Sequence, residues 1–451
     1  MADNPLRLLR YNTGNDKKVF VNFKEYFDAV IFNATIVAHS GSAIADLVSI
    51  HKKNFIIDPQ THIFQHDLSA LQPYKPKGNE LKESVKKYLD KLPIEITRIT
   101  LQELRPLTCT DVSPNIDKLV TSVFKFETDF VNEFIKEKDY GPYLDFVGKK
   151  PSPMLIIAPY FMLKKEYSNV QNIEWLSLNK NCLKSFINLN KQHFKVAAQL
   201  VIDKDILKNQ ILMNEIIQTY DIQGYEYVFV WIDEFSSFYS EKESKNGFSD
   251  LLQGFNSINK KIVMAYGGYD SILLCNSELT DRVYGVAQSI GYGESRPITP
   301  VGGGLPTNKY YFFPTHKRMK FNEVARILTE LGYFDESNLK EKRVSDYFEN
   351  ICNCDQCKQL IKKDINNFNS YNDSIPFTIN GRYGIISKNR PTTDASYIAA
   401  MHFLHCKVRE WDDIKNKSLH QLIDELKANF RKYSTEAETK DIEFWCSLYV
   451  R

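Results

Sequence analysis

The sequence lacks the features that mark membrane-spanning and secreted proteins. No apolar run reaches the length of a membrane span, and Met1–Arg10 has no apolar core of a signal peptide. We therefore expect a cytoplasmic protein. The formal net charge is only +2, so the chain as a whole has no strong attraction for nucleic acid, although a local basic face could provide one.

Cysteine is also scarce, and its distribution is uneven. Three of the eight cysteines occur within six residues, at Cys352, Cys354 and Cys357, and the other five are scattered. This distribution fits a reducing compartment with one metal site better than a disulfide-bonded framework. The chain has 451 residues and 43% hydrophobic content, which is enough for a sizeable core.

The three clustered cysteines are too crowded to pair comfortably with each other as disulfides. A closed structural zinc site takes four nitrogen or sulfur ligands, so three thiolates need a fourth partner. The candidates downstream are His402, His405 and Cys406, of which we favour His402. Four protein ligands would leave no open position for water, so the zinc would be structural.

Eight apolar runs of strand length occur along the chain, each followed by a helical or polar segment. Continuous apolar runs flanked by helices are typical of parallel strands buried on both faces, and eight of them predict an α/β fold, a (β/α)8 TIM barrel. The runs are Ala29–Ala38, Phe55–Asp58, Met154–Ala158, Val196–Ile202, Tyr227–Asp233, Ile262–Tyr266, Arg282–Val286 and Lys309–Phe313.

The spacing of these runs also predicts the domain organisation. We assign residues 1–335 to the barrel, with loop insertions at about residues 65–150 and 160–194, where the intervals between runs are long. Residues 336–451 have mostly helical patterns and contain the cysteine cluster. They are predicted to form a C-terminal helical zinc-binding subdomain that braces the barrel.

Acidic residues follow two of the predicted strands. Asp58 ends the second run, and Asp233 and Glu234 end the fifth. In a barrel enzyme the chemistry lies at the carboxyl ends of the strands. Burial and a neighbouring like charge would perturb the proton affinity of carboxylates there. Either aspartate could instead be an ordinary turn cap or a solvated acid at the end of a strand.

Two further strands carry residues suited to a flat ligand. Gln199 lies within the fourth run, where a glutamine is as often a core residue as a ligand. Tyr266 ends the sixth run and is followed by Gly267 and Gly268. Paired glycines allow a ligand or the backbone to approach closely, although such a pair is more often an ordinary turn.

A short basic patch follows the last predicted strand. It consists of His316, Lys317 and Arg318, with Lys309 and Lys320 nearby. Such a patch suits the phosphates of a nucleic acid. It could equally be the solvated start of a helix.

The cysteine cluster resembles the zinc site of the tRNA-guanine transglycosylases, in which C-x-C-x-x-C is followed by a His that opens a helix. Here His402–Lys407 (H-F-L-H-C-K) is similar to the family's H-N-L-x-x-Y-like segment. The gap from Cys357 to His402 is longer than in the family, and we place the extra residues in the polar run Asn366–Arg390.

The end of the second predicted strand also resembles this family. Asp58–Gln65 (D-P-Q-T-H-I-F-Q) is similar to the segment D-S-G-G-F-Q, with the Asp and the Phe-Gln retained and the glycines missing. The resemblance implies that side chains of Gln60, Thr61 and His62 replace main-chain contacts to the base. Gln199 is similar to the Gln of the family's I-V-Q-G-G strand.

The segment that carries the family's nucleophile, D-x-F-D-C-x-x-P-T-R, has only a partial counterpart. Pro314–Arg318 (P-T-H-K-R) is similar to its end, but no Asp precedes it. The paralogous DNA-guanine transglycosylases of bacteria and their phages keep the zinc site and an early Asp while their other loops differ. The chain resembles these enzymes most, over residues 27–411.

This resemblance implies a pentosyltransferase that exchanges guanine in DNA for a free 7-deazaguanine base, preQ0 or a derivative. Two displacements through a covalent glycosyl-enzyme intermediate would retain the configuration at C1′ of a flipped-out nucleotide. Strand order and the family's spacing favour Asp233 as the nucleophile and Asp58 as the acid–base group, and the reverse assignment stays open. The residues that would contact the base are Gln60, His62, Gln199, Glu234, Tyr266, Gly267 and Gly268, and aromatic stacking would involve Tyr266, Tyr269 and Tyr310. Phosphate contacts would come from His316, Lys317 and Arg318. The zinc ligands would be Cys352, Cys354, Cys357 and His402.

Two alternatives remain open at this point. A tRNA-guanine transglycosylase of the queuosine or archaeosine type would share the fold, the metal site and the mechanism. A non-catalytic, transglycosylase-like partner subunit would account for the missing family nucleophile. Both alternatives, like the main hypothesis, are compatible with a homodimer.

Overall fold

The computed structural model describes residues 4–12, 14–73, 80–148, 150–291, 297–298, 309–334, 340–381 and 384–450. The chain forms two compact units. The first contains residues 1–12 and 24–302, and the second contains residues 13–23 and 303–451. Helix α1 (Gly14–Phe23) therefore belongs to the second unit, although the chain on both sides of it belongs to the first.

The first unit is built around eight parallel strands. These are β1 (Leu6–Tyr11), β2 (Ala29–Asn33), β3 (Asn54–Asp58), β4 (Ile156–Ile157), β5 (Val196–Ile202), β6 (Tyr227–Ile232), β7 (Lys261–Met264) and β8 (Gly285–Ser289). Their order in the sheet is β3-β2-β1-β8-β7-β6-β5-β4. The outer strands meet through a 2.8 Å hydrogen bond from Met154 N to Phe55 O, which closes the ring. The predicted TIM barrel is thus confirmed.

Alternate residues of the strands point into the barrel and form its core. This inner set is fully buried and includes Leu8, Ile31, Ile56, Val201, Phe229 and Val263. The residues between them face the surrounding helices, which explains why the strand sequences are apolar on both faces. The same alternation brings Arg10, Asn33, Asp58, Asp203 and Asp233 to the inner side of the carboxyl edge.

The helices of the first unit connect consecutive strands. They are α2 (Ala34–Ile50), α3 (Glu83–Leu89), α4 (Ile94–Arg98), α5 (Cys109–Val112), α6 (Ile116–Lys136), α7 (Gly141–Phe146), α8 (Asn169–Leu189), α9 (Gln210–Tyr220), α10 (Lys242–Ser257) and α11 (Tyr269–Leu273). Five of them, α3 to α7, lie between β3 and β4, within the long insertion predicted at residues 65–150. The segment 160–194 contains α8, the helix between β4 and β5.

One strand of the barrel differs from the sequence prediction. The apolar run at Lys309–Phe313 does not enter the barrel, because β9 (Lys309–Phe312) pairs only with the antiparallel strand β10 (Lys317–Lys320) in the part of the chain that is described. The missing barrel strand is β1, which the sequence analysis did not predict. The other seven predicted strands all belong to the barrel.

The second unit contains the cysteine cluster and is mostly helical. Besides α1 and the β9–β10 hairpin, it contains α12 (Phe321–Glu330), α13 (Lys340–Asn350), α14 (Asp355–Ile361), the hairpin of β11 (Ser374–Gly381) and β12 (Gly384–Pro391), α15 (Thr393–Asn416), α16 (Leu419–Tyr433) and α17 (Glu436–Tyr449). The polar run Asn366–Arg390 forms most of a 3₁₀ helix (Ile365–Asn372) and the β11–β12 hairpin. The predicted domain boundary at residues 335/336 falls outside the described residues.

The lengths and hydropathies of the helices bear on whether the chain could cross a membrane. Among the residues described, no helix combines the length and the hydropathy that crossing a bilayer requires.

Candidate metal centre and candidate active site

Three cysteines and one histidine of the second unit converge on one point. The ligand atoms of Cys352, Cys354, Cys357 and His402 all lie within 4.8 Å of one another. Nδ1 of His402 is 3.3 Å from Sγ of Cys354, 3.4 Å from Sγ of Cys357 and 3.9 Å from Sγ of Cys352. The cluster could therefore hold one metal ion, with ligands that are distant in sequence brought together by the fold.

The local structure explains how these ligands are positioned. Cys354 precedes α14 and accepts a hydrogen bond from the backbone N–H of Cys357, which fixes the two thiols on the same side of the first helical turn. His402 lies within α15, which begins at Thr393, whereas the family resemblance implied a His at a helix start. Its Nε2 donates to the carbonyl of Tyr311 at 2.8 Å. With Nε2 as the donor of this hydrogen bond, Nδ1 is the ring nitrogen that is directed at the thiols, as in most metal-bound histidines.

The distances in the cluster fit a tetrahedral ion. With metal–sulfur and metal–nitrogen distances of about 2.3 and 2.0 Å, tetrahedral sulfur and nitrogen ligands are about 3.5 to 3.8 Å apart. His405 is directed elsewhere, since its ring packs edge-on against Phe23 at 4.9 Å. Cys406 is close, with Sγ 3.8 Å from Sγ of Cys352, but it is not one of the four mutually adjacent donors. Of the three candidates for the fourth ligand, the geometry favours His402.

Aromatic side chains enclose the cluster. The ring of Tyr310 is stacked on His402 with centroids 4.3 Å apart. The hydroxyl groups of Tyr347, Tyr371 and Tyr310 lie 3.3, 3.4 and 3.6 Å from Sγ of Cys357. Because Tyr310 is fully buried in this shell, it cannot sandwich a purine, and that part of the sequence prediction is wrong.

At the barrel mouth, Asp58 is held in a closed network. Its Oδ2 forms an ion pair with Nη1 of Arg10 at 2.8 Å, and both side chains are almost completely buried. Its Oδ1 accepts from the hydroxyl of Tyr160 at 2.6 Å and from the backbone N–H of Gln60 at 3.2 Å. Arg10 also donates to the side chain of Asn33 at 3.3 Å and, through Nε, to a backbone carbonyl of the barrel. Both oxygens of Asp58 thus accept hydrogen bonds from protein donors.

Aromatic rings pack around this ion pair. The guanidinium of Arg10 lies 4.4 Å from the ring centroid of Tyr266. Tyr266 in turn contacts Trp231, with centroids 4.6 Å apart. His62 stacks on Tyr160 at 5.2 Å and is fully buried. The predicted base contacts Gln60, His62 and Tyr266 therefore lie beside Asp58, and in this structure they form part of the packing around the Arg10–Asp58 pair.

Asp233 lies in a more open part of the mouth. Its side chain is half-buried, and its Oδ1 accepts from the backbone N–H of Ile298 at 2.8 Å. Glu234, which follows it, is exposed and adopts a left-handed backbone conformation with φ of 43°. Such a conformation is uncommon for a residue with a side chain and is often found near functional sites.

Asp203 is a neighbour of Asp233 that the sequence analysis missed. It follows β5 as Asp233 follows β6, and the two strands are paired with Ile202 beside Ile232. Burial, together with the carboxylate of Asp233, raises the pKa of Asp203 to about 6, against the opposing effect of the Lys165 N–H. The rule that selected Asp58 and Asp233, an acid directly after an apolar run, would also have selected Asp203.

Three other predicted base contacts belong to strands or turns. Gln199 lies within β5, is buried, and has no hydrogen-bond partner for either atom of its amide among the described residues. Gly267 packs closely against β8, where an added Cβ would lie 2.5 Å from a side-chain carbon of Val286. Gly268 precedes α11 in an extended conformation. The close packing explains Gly267 without a ligand.

The predicted phosphate contacts lie in the second unit and have partners within the protein. His316 is largely buried, with Nδ1 2.7 Å from a carboxylate oxygen of Glu410. Lys317 forms a 2.7 Å ion pair with Glu438, and the guanidinium of Arg318 stacks 3.6 Å from the ring centroid of Phe403. Burial lowers the pKa of His316, although Glu410 opposes this effect. His316 is therefore not a surface cation.

Comparisons with known proteins identify no family. No family model matches the sequence, and no curated protein matches it. Among solved structures, the chain is similar to xylanase B from Clostridium stercorarium F9, with a TM-score of 0.33 and 9% identity over 65% of this chain and 91% of that one. It is also similar to a D-psicose 3-epimerase solved in the presence of D-fructose, with a TM-score of 0.30 and 10% identity over 66% and 90% of the two chains. Likenesses at this level give no basis for transferring a substrate.

Proposed function

We propose that this protein is a DNA-guanine transglycosylase, which exchanges guanine in DNA for a free 7-deazaguanine base such as preQ0. The observation that carries the proposal is the cluster of Cys352, Cys354, Cys357 and His402, which has the order of the family's zinc ligands and the family's C-x-C-x-x-C spacing of the three cysteines, and whose members are adjacent in the fold. The combination of this cluster with a TIM barrel supports the same family.

The proposed metal is one zinc ion with a structural role. Three thiolates and an imidazole form a donor set that suits zinc, and four protein ligands leave no open position for a water nucleophile. The ion would link α14 to α15 and, through the hydrogen bond of His402, to β9. The chemistry is accordingly assigned to side chains of the barrel.

The proposed nucleophile is Asp233. Base exchange with retention at C1′ requires a carboxylate that can attack the sugar and leave again. Asp233 is half-buried at the carboxyl end of β6 and keeps one oxygen, Oδ2, outside the hydrogen bond from Ile298. Asp58 is less suited to contact a substrate, because both of its oxygens are occupied and its side chain is fully buried.

We propose DNA as the substrate rather than tRNA because the family's usual nucleophile segment has no working counterpart. No Asp precedes Pro314, and Pro314 lies in a 3₁₀ turn between β9 and β10 and not at the end of a barrel strand. The target nucleotide would have to be flipped out, since neither C1′ nor the base edge can be reached in stacked DNA.

A direct exchange assay tests the proposal. Purified protein is incubated with duplex DNA or with tRNA, each carrying labelled guanine, in the presence of free preQ0. We expect release of labelled guanine from DNA and a new deoxynucleoside, identified by mass after digestion. The variant Asp233→Asn should release none. Release from tRNA alone would favour the tRNA enzyme, and no release from either would overturn the proposed activity.

A non-catalytic partner subunit is the second candidate. It is favoured by the hydrogen bonds that both oxygens of Asp58 accept from Arg10, Tyr160 and Gln60, which make this acid less available to a substrate. A covalent DNA adduct trapped on the wild-type chain, and absent from Asp233→Asn, would exclude this candidate.

A further inference from the structure

We propose that Asp203 is the acid–base catalyst that works with Asp233, a role that rests on the proposed function. In this assignment Asp58 has a different task, which is to position Arg10. The pair would share the two steps of the exchange, with Asp233 bonding to the sugar and Asp203 moving the proton of the base.

The backbone places Asp203 and Asp233 at neighbouring positions on two adjacent strands. Strands β5 and β6 are parallel neighbours with Ile202 beside Ile232, and the N–H of Asp233 donates to the carbonyl of Ile202 at 2.9 Å. Neighbouring strands lie about 4.8 Å apart, so carboxyl groups at paired strand ends can reach the separation of about 5–5.5 Å that retaining glycosidases use.

Both side chains point to the inside of the barrel mouth. In β5, Ala197 and Val201 belong to the inner core, and Asp203 continues this alternation. In β6, Phe229 and Trp231 belong to the same core, and Asp233 continues theirs. The two acids therefore face the same space and not the helical layer outside.

The two acids differ in how deeply they are buried, and this difference suits a proton donor at Asp203 and a nucleophile at Asp233. Asp203 is 6% exposed, whereas Asp233 is half-buried. Oδ2 of Asp203 accepts from the N–H of Lys165 at 2.7 Å, and no described residue donates a hydrogen bond to its Oδ1. The charged groups near Asp203 are Asp233, Glu166, Lys164 and Lys165. Burial beside another carboxylate favours the protonated form of Asp203.

The proton and electron pairs can be followed through both steps. Asp203 donates its proton to the departing guanine as the C1′–N9 bond breaks, and a carboxylate oxygen of Asp233 forms the new bond to C1′. The incoming base then returns a proton to Asp203 while its ring nitrogen bonds to C1′ and the ester to Asp233 breaks. Both carboxyl groups end in their starting states, so no further reactant is needed.

The decisive test replaces the leaving base with one that needs no proton. The variants Asp203→Asn and Asp233→Asn are compared on duplex DNA containing either guanine or 7-methylguanine at the target position. Because 7-methylguanine is already cationic, it can depart without an acid. Asp205→Asn, at a half-buried acid two residues away that pairs with Lys208, is the matched control. Single-turnover release of the base is measured across pH 5 to 9, and thermal unfolding confirms that each variant is folded.

We expect Asp203→Asn to slow guanine release by about 10²- to 10⁴-fold, the usual contribution of a general acid, while release of 7-methylguanine stays within a few-fold of wild type. The fall in the rate of guanine release at high pH should also disappear in this variant. Asp233→Asn should fail with both bases, and Asp205→Asn should behave as wild type.

Two results would overturn the assignment, and they can be told apart. If the wild-type chain exchanges guanine but Asp203→Asn does so at the same rate, or loses both substrates equally, Asp203 is not the acid and the proposed function is unaffected. If the wild-type chain releases neither base, the proposed function fails and the role of Asp203 fails with it.

Discussion

Arg10 and Asp58, which are 48 residues apart, form an ion pair at the carboxyl edge of the barrel, with 2.8 Å between Nη1 and Oδ2. Their side chains are 1% and 0% exposed. Taking two charges out of water is costly, and only a close partner and further hydrogen bonds make it tolerable. Here Tyr160, Gln60 and Asn33 supply those hydrogen bonds, so β1, β2, β3 and the segment after β4 are joined at one point.

The first prediction concerns the removal of one charge of this pair. Asp58→Asn keeps the shape of the side chain but leaves the Arg10 guanidinium buried without an anion. We expect the free energy of unfolding to fall by about 3–5 kcal/mol, the usual cost of breaking a buried pair. Urea denaturation measures this change.

Two further variants serve as controls for this prediction. Arg10→Met combined with Asp58→Asn removes both charges and should recover part of the lost stability. Asp205→Asn removes a half-buried acid that pairs with Lys208 near the surface and should change the free energy of unfolding by about 1 kcal/mol or less. A destabilisation of Asp58→Asn no larger than that of the surface control would contradict the role assigned to the pair.

The second prediction concerns the metal centre. The wild-type protein should bind one zinc ion per chain, and His402→Ala and Cys354→Ala should each lose most of it, with lower solubility and cooperative stability of the second unit. The reason is that binding of a structural metal contributes directly to folding. Metal analysis after dialysis, together with thermal unfolding with and without a chelator, measures both effects.

Cysteines outside the four ligands provide the controls for the metal prediction. Cys109 lies in the first unit, so the variant Cys109→Ser should retain the full metal content. Cys406→Ala should also retain it, since Cys406 is not among the four mutually adjacent donors. Equal metal loss in Cys406→Ala and His402→Ala would show that the ligand set has been assigned incorrectly.

The barrel could be predicted from sequence because most of its strands are continuous apolar runs. Strand β1 was not predicted because its sequence, L-R-L-L-R-Y, contains two arginines. Arg10 can be buried in β1 only because Asp58, at the end of β3, forms an ion pair with it. The residues next to Arg10 in the sequence do not reveal this distant partner. The run at Lys309–Phe313 was misassigned for the opposite reason. Its residues are apolar because they pack around the metal centre, and apolarity does not show to which sheet a strand belongs.

The sites were predictable to different degrees. Short-range spacing identified the three cysteines, and His402 was the favoured one of three candidates for the fourth ligand; these four residues are adjacent in the fold. The role of Asp58 could not be derived in the same way, because it depends on Arg10 and Tyr160, which lie 48 and 102 residues away. Asp203 could have been predicted by the same rule as Asp233, because it directly follows the apolar run of β5 as Asp233 follows that of β6.

The third prediction concerns the pH dependence of stability through His66. Burial, and secondarily Lys164, lowers the pKa of His66 from 6.5 to about 4. Between these values the unfolded chain binds a proton that the folded chain does not, so His66 makes the folded state lose stability as pH falls. The slope from this one group is about 1.4 kcal/mol per pH unit. His66→Gln should remove it, with His420→Gln, at an exposed histidine, as the control.

Asp203 should contribute the opposite slope over much of the same range. Its pKa is raised from 3.8 to about 6, so between these values the folded chain binds the extra proton and stability falls as pH rises. Asp203→Asn should therefore make the free energy of unfolding increase more steeply with pH between 4 and 6 than in wild type. Urea denaturation at several pH values measures both slopes. These assignments would be contradicted if the free energy of unfolding rose more steeply with pH in His66→Gln than in wild type, or less steeply in Asp203→Asn than in wild type.

The fourth prediction concerns a buried polar group in the second unit. Lys407 and Glu410 are both 0% exposed and form a 2.9 Å ion pair, to which Tyr311 and His316 are hydrogen-bonded. Lys407→Met would leave the Glu410 carboxylate buried without its main cation. We expect a loss of about 3–5 kcal/mol in the free energy of unfolding. The combined variant Lys407→Met with Glu410→Gln should be more stable than Lys407→Met alone, since no unpaired charge remains. If the single and combined variants are equally unstable, the loss comes from packing around Tyr311 and not from the buried charge.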